Sequence, residues 1–257
     1  MFELYKNFEK GVGEMRLLLE FQLEENIIPL EYRKFFLHFI KDSLSDANGG
    51  KYYKQFYNGT DAKNYTFAIF FDKPQFQKDE ILLQSKRVKM LFSTSEKSTG
   101  LIFYTSFLEQ KKKKYNLEKR NTIQLLSVRN LREPEIGANQ ILVKTNAPLV
   151  VRKHTKEENK DYYYSFEKEE FLQEANQSIV RQLLRAGFSD IIVESVKIQP
   201  VKCRKVIVTH YGCKIETTVG TFLLEGNKSV LSYFIQAGIG ARKSEGFGML
   251  ELMAQDF

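Results

Sequence analysis

One stretch constrains this chain more than any other. Gln236 to Gln255 reads QAGIGARKSEGFGMLELMAQ, with Gly238, Gly240, Gly246 and Gly248 bracketing Arg242, Lys243 and Ser244. Glycines this dense reach positive φ and let the backbone approach its neighbours closely, as a phosphate-cradling loop requires. The residues before the loop, Ser229 to Ala237, are helix-like, and Met249 to Met253 after it reads as a short strand. A dinucleotide fingerprint runs strand, loop, helix. Here the order is helix, loop, strand, and the Walker pattern is absent. No nucleotide cofactor is expected, and a polyanion held from outside is the better fit.

The chain has 257 residues, enough for two small domains or one large one with a real core. No apolar run reaches the length that crosses a membrane. The first fourteen residues lack the apolar core of a signal peptide and read as an extension upstream of a strand pattern that begins at Met15. Cys203 and Cys213 are the only cysteines, so neither a disulfide framework nor a zinc quartet is expected, and the compartment indicated is reducing and cytoplasmic. The formal charge is +7, and 39 Lys and Arg stand among 21 Phe and 13 Tyr. Excess cation with abundant aromatics suits single-stranded nucleic acid, which offers phosphates and stackable bases. Charge alone fits a basic protein with no nucleic-acid role equally well.

Periodicity then orders the elements. Met15 to Glu24 reads as a strand, and Glu31 to Leu44 shows helical spacing. The helix stripe is Tyr32, Phe36, Phe39, Ile40 and Leu44, with Lys34, His38 and Lys41 on the opposite face. Ser45 to Asn64 reads as a polar loop with Asn-Gly turns and clustered tyrosines and lysines. Strands follow at Tyr65 to Phe71, Arg87 to Thr94 and Thr122 to Arg129, with a second helix within Gly100 to Lys119. That order is the split βαβ plan of ferredoxin-like folds. Glu133 to Asn139 reads as a linker. The second half repeats the plan: Gln140 to Arg152 as strand, Phe166 to Arg185 as helix (Phe171, Ala175, Ile179 and Leu183 inward), strands at Ile191 to Gln199, Cys203 to His210 and Lys214 to Leu224, then the terminal helix, loop and strand. The expected class is α+β, a tandem of ferredoxin-like (RRM-like βαββαβ) domains over 15–133 and 140–257.

With these features together, the chain resembles the CRISPR repeat-processing endoribonucleases, within the superfamily of repeat-associated RNA-binding proteins. Four stretches carry the resemblance: LEFQLEENIIPLEYRKFFLHFI, AKNYTFAIFF, ILVKTNAPLVVR and GIGARKSEGFGMLEL. Glu245 departs from the family loop, which often has an apolar residue there. The resemblance implies metal-independent cleavage of CRISPR precursor RNA within each repeat. The 2′-hydroxyl upstream of the scissile phosphate would attack, leaving a 2′,3′-cyclic phosphate and a 5′-hydroxyl. Such a step needs a base, a donor for the departing oxygen, and cations around the phosphorane. The partner implied is CRISPR repeat RNA, single-stranded or weakly hairpinned. A multisubunit interference complex and a second copy of the chain are further candidate partners, and no membrane is.

Many family members place a catalytic histidine after the first helix, with a tyrosine in that helix and a lysine just before the second strand. Here the segment GGKYYKQFYNGTDAKNYTF holds no histidine. Alignment puts Lys54 near the histidine position, Lys63 on the lysine position and Phe39 near the tyrosine position. Either Lys54 and Lys63 stabilise the phosphorane, or His38 on the helix's polar face serves as base or acid. A solvated surface role fits His38 and Lys54 equally well. His154 reads as a surface residue beside a basic strand, and His210 as a turn residue without chemistry. No metal site is expected, and Glu24 and Glu25 read as strand-end surface residues. For RNA the candidates are Arg242, Lys243, Ser244 and the loop glycines, then Arg129, Arg132, Arg152 and Lys153 near strand ends. The run Lys111 to Lys114 reads first as a solvated helix end, and Tyr162 to Tyr164 as either base-stacking or packing residues. A non-catalytic repeat-binding subunit is the alternative function.

Overall fold

The computed structural model describes residues 15–59, 62–117 and 121–255. The first unit runs β1 (Met15–Leu23), β2 (Ile27–Pro29), α1 (Tyr32–Asp46), α2 (Lys51–Tyr57), β3 (Tyr65–Phe71), β4 (Gln75–Phe76), β5 (Glu80–Leu82), β6 (Arg87–Thr94), α3 (Lys97–Glu109), β7 (Lys114–Asn116) and β8 (Thr122–Leu131). Its main sheet is antiparallel in the order β3-β6-β1-β8-β7, with β1 central between β6 and β8. Alternation along β1 puts Leu17, Leu19, Phe21 and Leu23 on the face that the helices cover. The stripe expected on α1 is the one buried: Phe36, Phe39, Ile40 and Leu44 are fully enclosed. Phe39 stacks on Phe107 of α3 at 5.6 Å and meets Phe21 edge-on at 5.1 Å. Each such side chain contributes roughly 1.5–3 kcal/mol by leaving water. Gly100 lets α3 approach β1, since a Cβ there would sit 2.5 Å from that of Met15.

The second unit runs β9 (Gln140–Thr145), β10 (Val151–Thr155), β11 (Lys160–Tyr164), α4 (Phe171–Arg185), α5 (Asp190–Glu194), β12 (Lys197–His210), β13 (Cys213–Glu225), α6 (Lys228–Ala237) and β14 (Leu250–Gln255). Its sheet order, β12-β13-β9-β14, repeats the topology of the first. Phe171, Ala175, Ile179 and Leu183 of α4 face the core as their spacing requires. Asn227 caps α6 by accepting the Ser229 N–H at 2.9 Å. The architecture is therefore the expected tandem ferredoxin-like α+β fold, with 132–139 as the irregular connection. No described helix is long and apolar enough to cross a membrane.

Several expectations need correction. The polar stretch Ser45 to Asn64 contains α2, because Asn48, Gly49 and Gly50 take left-handed φ values of 49°, 60° and 76° and turn the chain straight into a new helix. The second helix ends at Glu109, before the lysine run; Lys119, its expected limit, lies outside the described residues, as does the 1–14 extension. The strand expected over Gln140 to Arg152 is broken at 146–150, where Pro148 interrupts the ladder. Phe166 to Glu170 precede α4 rather than open it. Ile191 lies in the short helix α5, and the two strands expected over Ile191 to His210 are one, β12, with a bulge at Pro200/Lys202. A small sheet, β2-β5-β4, was not expected; its strands are too short for a periodic signal.

Candidate nucleic-acid interface

The glycine loop fills the seam between the two units. Gly248 has φ 66°, and a Cβ there would lie 2.0 Å from the Ile239 carbonyl oxygen; at Gly246 it would meet the Phe67 ring at 2.8 Å. Both positions exclude any side chain. Across the seam, Thr66 Oγ1 donates to the Phe247 carbonyl at 2.9 Å and Arg33 Nε donates to the Gly246 carbonyl at 3.1 Å. The Arg33 guanidinium also lies 4.9 Å from the Phe247 ring centre. At the tip of the β12–β13 hairpin, the Gly212 N–H donates to Glu31 at 3.1 Å, and the Lys34 ammonium sits 5.8 Å from the Tyr211 ring.

The charged residues of the loop are engaged from within. Arg242, held in a left-handed conformation, donates to Glu245 at 2.9 Å and to the Tyr163 hydroxyl at 2.9 Å. Glu245 also bonds Nε2 of the buried His210 at 2.8 Å. Burial works against the Glu245 carboxylate, but His210 and Arg242 outweigh it and hold its pKa below the ordinary value. Lys243 is buried, its ammonium 5.5 Å from the Tyr233 ring, and burial pulls its pKa down to about 7. Tyr233 in turn lines a cleft of about 400 Å³, with Asn64 and Glu96 on one wall and Phe188, Ser229 and Gln236 on the other.

Beside the loop, on the first unit, lies a second cluster. Tyr57 of α2 has the Lys63 ammonium 5.0 Å and the Lys41 ammonium 5.2 Å from its ring centre. Tyr53 stacks on the same ring at 5.3 Å. The Tyr57 hydroxyl is hydrogen-bonded to that of the fully buried Tyr65 at 2.5 Å. Burial is the largest influence on Tyr57 and pushes it up to about 12, so the phenol keeps its proton near neutral pH. Glu245 and Tyr211 lie within electrostatic range of it. Two cations, a phenol and the glycine loop thus meet at one edge of the seam. Such a group can attract a phosphodiester and offer it a proton.

Residues 131–252 match the family model described as CRISPR associated protein Cas6, C-terminal. That stretch is similar to the C-terminal part of Cas6 proteins. The whole chain shares its fold with solved structures of that kind. One, from work characterising a Cas6-related gene from Pyrococcus furiosus, superposes with a TM-score of 0.81 at 18% identity, covering 95% of this chain and 100% of the other. A RAMP protein described as binding different RNA substrates gives 0.79 at 17% identity, with 93% and 100% covered. A Cas6 product complex gives 0.68 at 12% identity, also with 93% and 100% covered. No curated protein is significantly similar to the sequence.

Against this Cas6-like frame, the residues expected from sequence are spread unevenly. Lys63 is in the cluster. Lys54 is exposed on α2, one turn before Tyr57, and His38 is exposed on α1, one turn before Lys41. Burial raises the Asp42 carboxyl, and the nearby His38 partly offsets this. Phe39, aligned near the family's tyrosine, is sealed in the core and cannot reach the seam. Arg129 pairs with Glu20 and Arg132 with Glu135, both on open surface. Arg152 bonds Asp161 at 3.1 Å and His154 bonds the same carboxylate at 2.9 Å, while Lys153 pairs with Glu174 at 2.8 Å. Of the tyrosine run, Tyr163 faces Arg242 and the other two carry lysines, Lys160 on Tyr162 and Lys168 on Tyr164. His210, read as an idle turn residue, anchors Glu245, which explains how the loop tolerates an acid. Sequence reading missed Tyr57 and Lys41 as site residues. The signal was present: Lys41 and Tyr57 are both outside the apolar stripe, and a tyrosine without a stripe to join needs another partner. Among the described residues, no group of three His, Cys, Asp or Glu side chains is arranged to hold a metal ion.

Proposed function

We propose that this chain binds CRISPR repeat RNA along the seam between its units and cleaves it without metal. The 2′-hydroxyl upstream of the scissile phosphate attacks, leaving a 2′,3′-cyclic phosphate and a 5′-hydroxyl. The observation that carries this reading is the cluster of Lys41, Lys63 and Tyr57 against a Cas6-type glycine loop. Lys63 and Lys41 supply positive charge for the phosphorane, where fixed charge in a partly dry site is worth most. Lys54 and His38, each one turn from the cluster, steer the flanking backbone, with His38 the available imidazole. Arg242 and Ser244 contact RNA at the loop rim. Lys243 and the four glycines, Gly238, Gly240, Gly246 and Gly248, act by shaping that rim. Arg129, Arg132, Arg152 and Lys153 extend the cationic track, each exchanging its present carboxylate for a phosphate.

The test is incubation of purified protein with labelled repeat RNA in EDTA, beside the same RNA carrying a 2′-deoxy nucleotide upstream of the cleavage point. Cleavage of the first and survival of the second are the expected result. Lys63→Ala then lowers the rate far more than it weakens binding.

One observation favours a second reading. The Tyr57 hydroxyl bonds another tyrosine rather than an imidazole, and the similar RAMP protein is described by binding alone. In that reading the chain is a repeat-binding subunit of an interference complex. Tight, repeat-selective binding with no cleavage of either RNA would establish it and displace the nuclease.

A further inference from the structure

Resting on the cleavage reading above, we propose that Tyr57 is a catalytic residue, the proton donor to the departing 5′-oxygen, with Tyr65 as its positioning residue. Three features of the cluster carry this.

The first is the direction of the hydrogen bonds. Tyr65 is fully buried and has one proton to give, and its hydroxyl is bonded to that of the part-buried Tyr57. A fully buried hydroxyl proton left without an acceptor is costly, so Tyr65 donates to Tyr57, and the Tyr57 proton is the one left to be given away. A phenol that accepts a hydrogen bond also stabilises the phenolate it becomes, so Tyr65 offsets part of the burial that weakens Tyr57 as an acid.

The second is placement. Lys41 and Lys63 come from different elements yet share one ring, 5.2 and 5.0 Å from its centre. A phosphate drawn to the two ammoniums is delivered to the edge of that same ring. Tyr53, stacked at 5.3 Å, fixes the ring plane.

The third is protonation. Burial keeps the phenol in its acid form throughout the neutral range, so it can give a proton but cannot serve as base. The step balances simply. The 2′-oxygen forms a bond to phosphorus and its proton goes to solvent; the phosphorus–5′-oxygen bond breaks, and that oxygen takes the Tyr57 proton. The phenolate recovers a proton from solvent before the next turnover.

The experiment compares two repeat RNAs, one natural and one with sulfur in place of the bridging 5′-oxygen at the scissile phosphate. A thiolate leaves without needing a proton. Single-turnover cleavage by Y57F is expected to fall roughly 10²–10⁴-fold on the oxygen substrate and to stay within a few-fold of wild type on the sulfur substrate. Y65F follows the same pattern with a smaller loss and unchanged RNA affinity. The wild-type rate on oxygen keeps rising with pH through the imidazole range, with no plateau that a histidine base would impose. Equal losses on both substrates, or an unimpaired Y57F on oxygen, overturn the donor role while leaving cleavage itself intact. If wild type cleaves neither RNA, the nuclease reading falls and the donor role falls with it.

Discussion

The connection from second helix to last strand occurs twice in this molecule, once in each unit, and the two copies have opposite fates. In the first unit it carries Lys111 to Lys114, all exposed, with Lys113 reaching out to Asp46 at 3.0 Å. In the second it carries the four glycines, of which Gly238 and Gly246 press on Thr66 and Phe67 of the first unit, and it is closed by hydrogen bonds from Thr66 and Arg33. Topology is the same, so composition decides. Lysines hold a connection in water, whereas glycines let it be pressed between two sheets. The second connection therefore joins the units and shapes the site, and the first does neither.

The sharpest way to break that comparison is to give the buried loop a side chain. G248A forces a left-handed alanine, costing about 1–2 kcal/mol, and drives its Cβ into the Ile239 carbonyl, adding about 1–3 kcal/mol of overpacking. Differential scanning calorimetry should show the transition lowered by roughly 4–20 °C and the two units melting separately. A single undisturbed transition would mean that the seam does not depend on this loop.

Next in size is the anchor beneath Glu245. H210A removes one buried hydrogen bond and should cost about 1–3 kcal/mol at neutral pH in urea melts. The folded state holds the Glu245 pKa below its ordinary value of 4.5, so this stabilisation is complete above that value and is lost as pH falls through the folded one. The gap between wild type and H210A should therefore narrow in acid; a constant gap would place the effect in packing alone.

Lys243 works in the other direction. Its folded pKa, about 7, lies below the ordinary 10.5, so the unfolded chain binds more protons between those values. Stability falls as pH drops from about 10.5 to about 7 and is then level on this account. K243M should raise Tm most at mildly acidic pH, with the gain shrinking toward pH 10. The smallest effect is expected in the other connection: replacing Lys111 to Lys114 together by alanine should move stability by no more than about 0.5 kcal/mol.

Much of this was readable in advance. Phe36, Phe39, Ile40 and Leu44, and later Phe171, Ala175, Ile179 and Leu183, point inward because a 3.6-residue period leaves them no other face. Strands such as Tyr65–Phe71 and Arg87–Thr94 are bounded as their patterns indicate. The helix Lys51–Tyr57 was hidden because it buries no residue fully and so writes no stripe. Its start depends on three left-handed residues that read locally as an ordinary turn. Phe39 shows the limit of alignment: a position that looked equivalent to a site tyrosine lies in the core, because helix phase, not order along the chain, decides which way it points.

The sequence alone determined the two amphipathic layers, their repetition and the glycine loop that had to be pressed close to something. Periodicity and backbone freedom are local properties, carried by neighbours in the chain. Tertiary structure alone decided what the loop presses against, that His210 hydrogen-bonds Glu245, and that Lys41, Lys63 and Tyr57 meet. Those pairings join residues from different elements, some more than a hundred positions apart. Only tertiary packing, within each unit and across the seam, brings them within hydrogen-bond or cation–π distance.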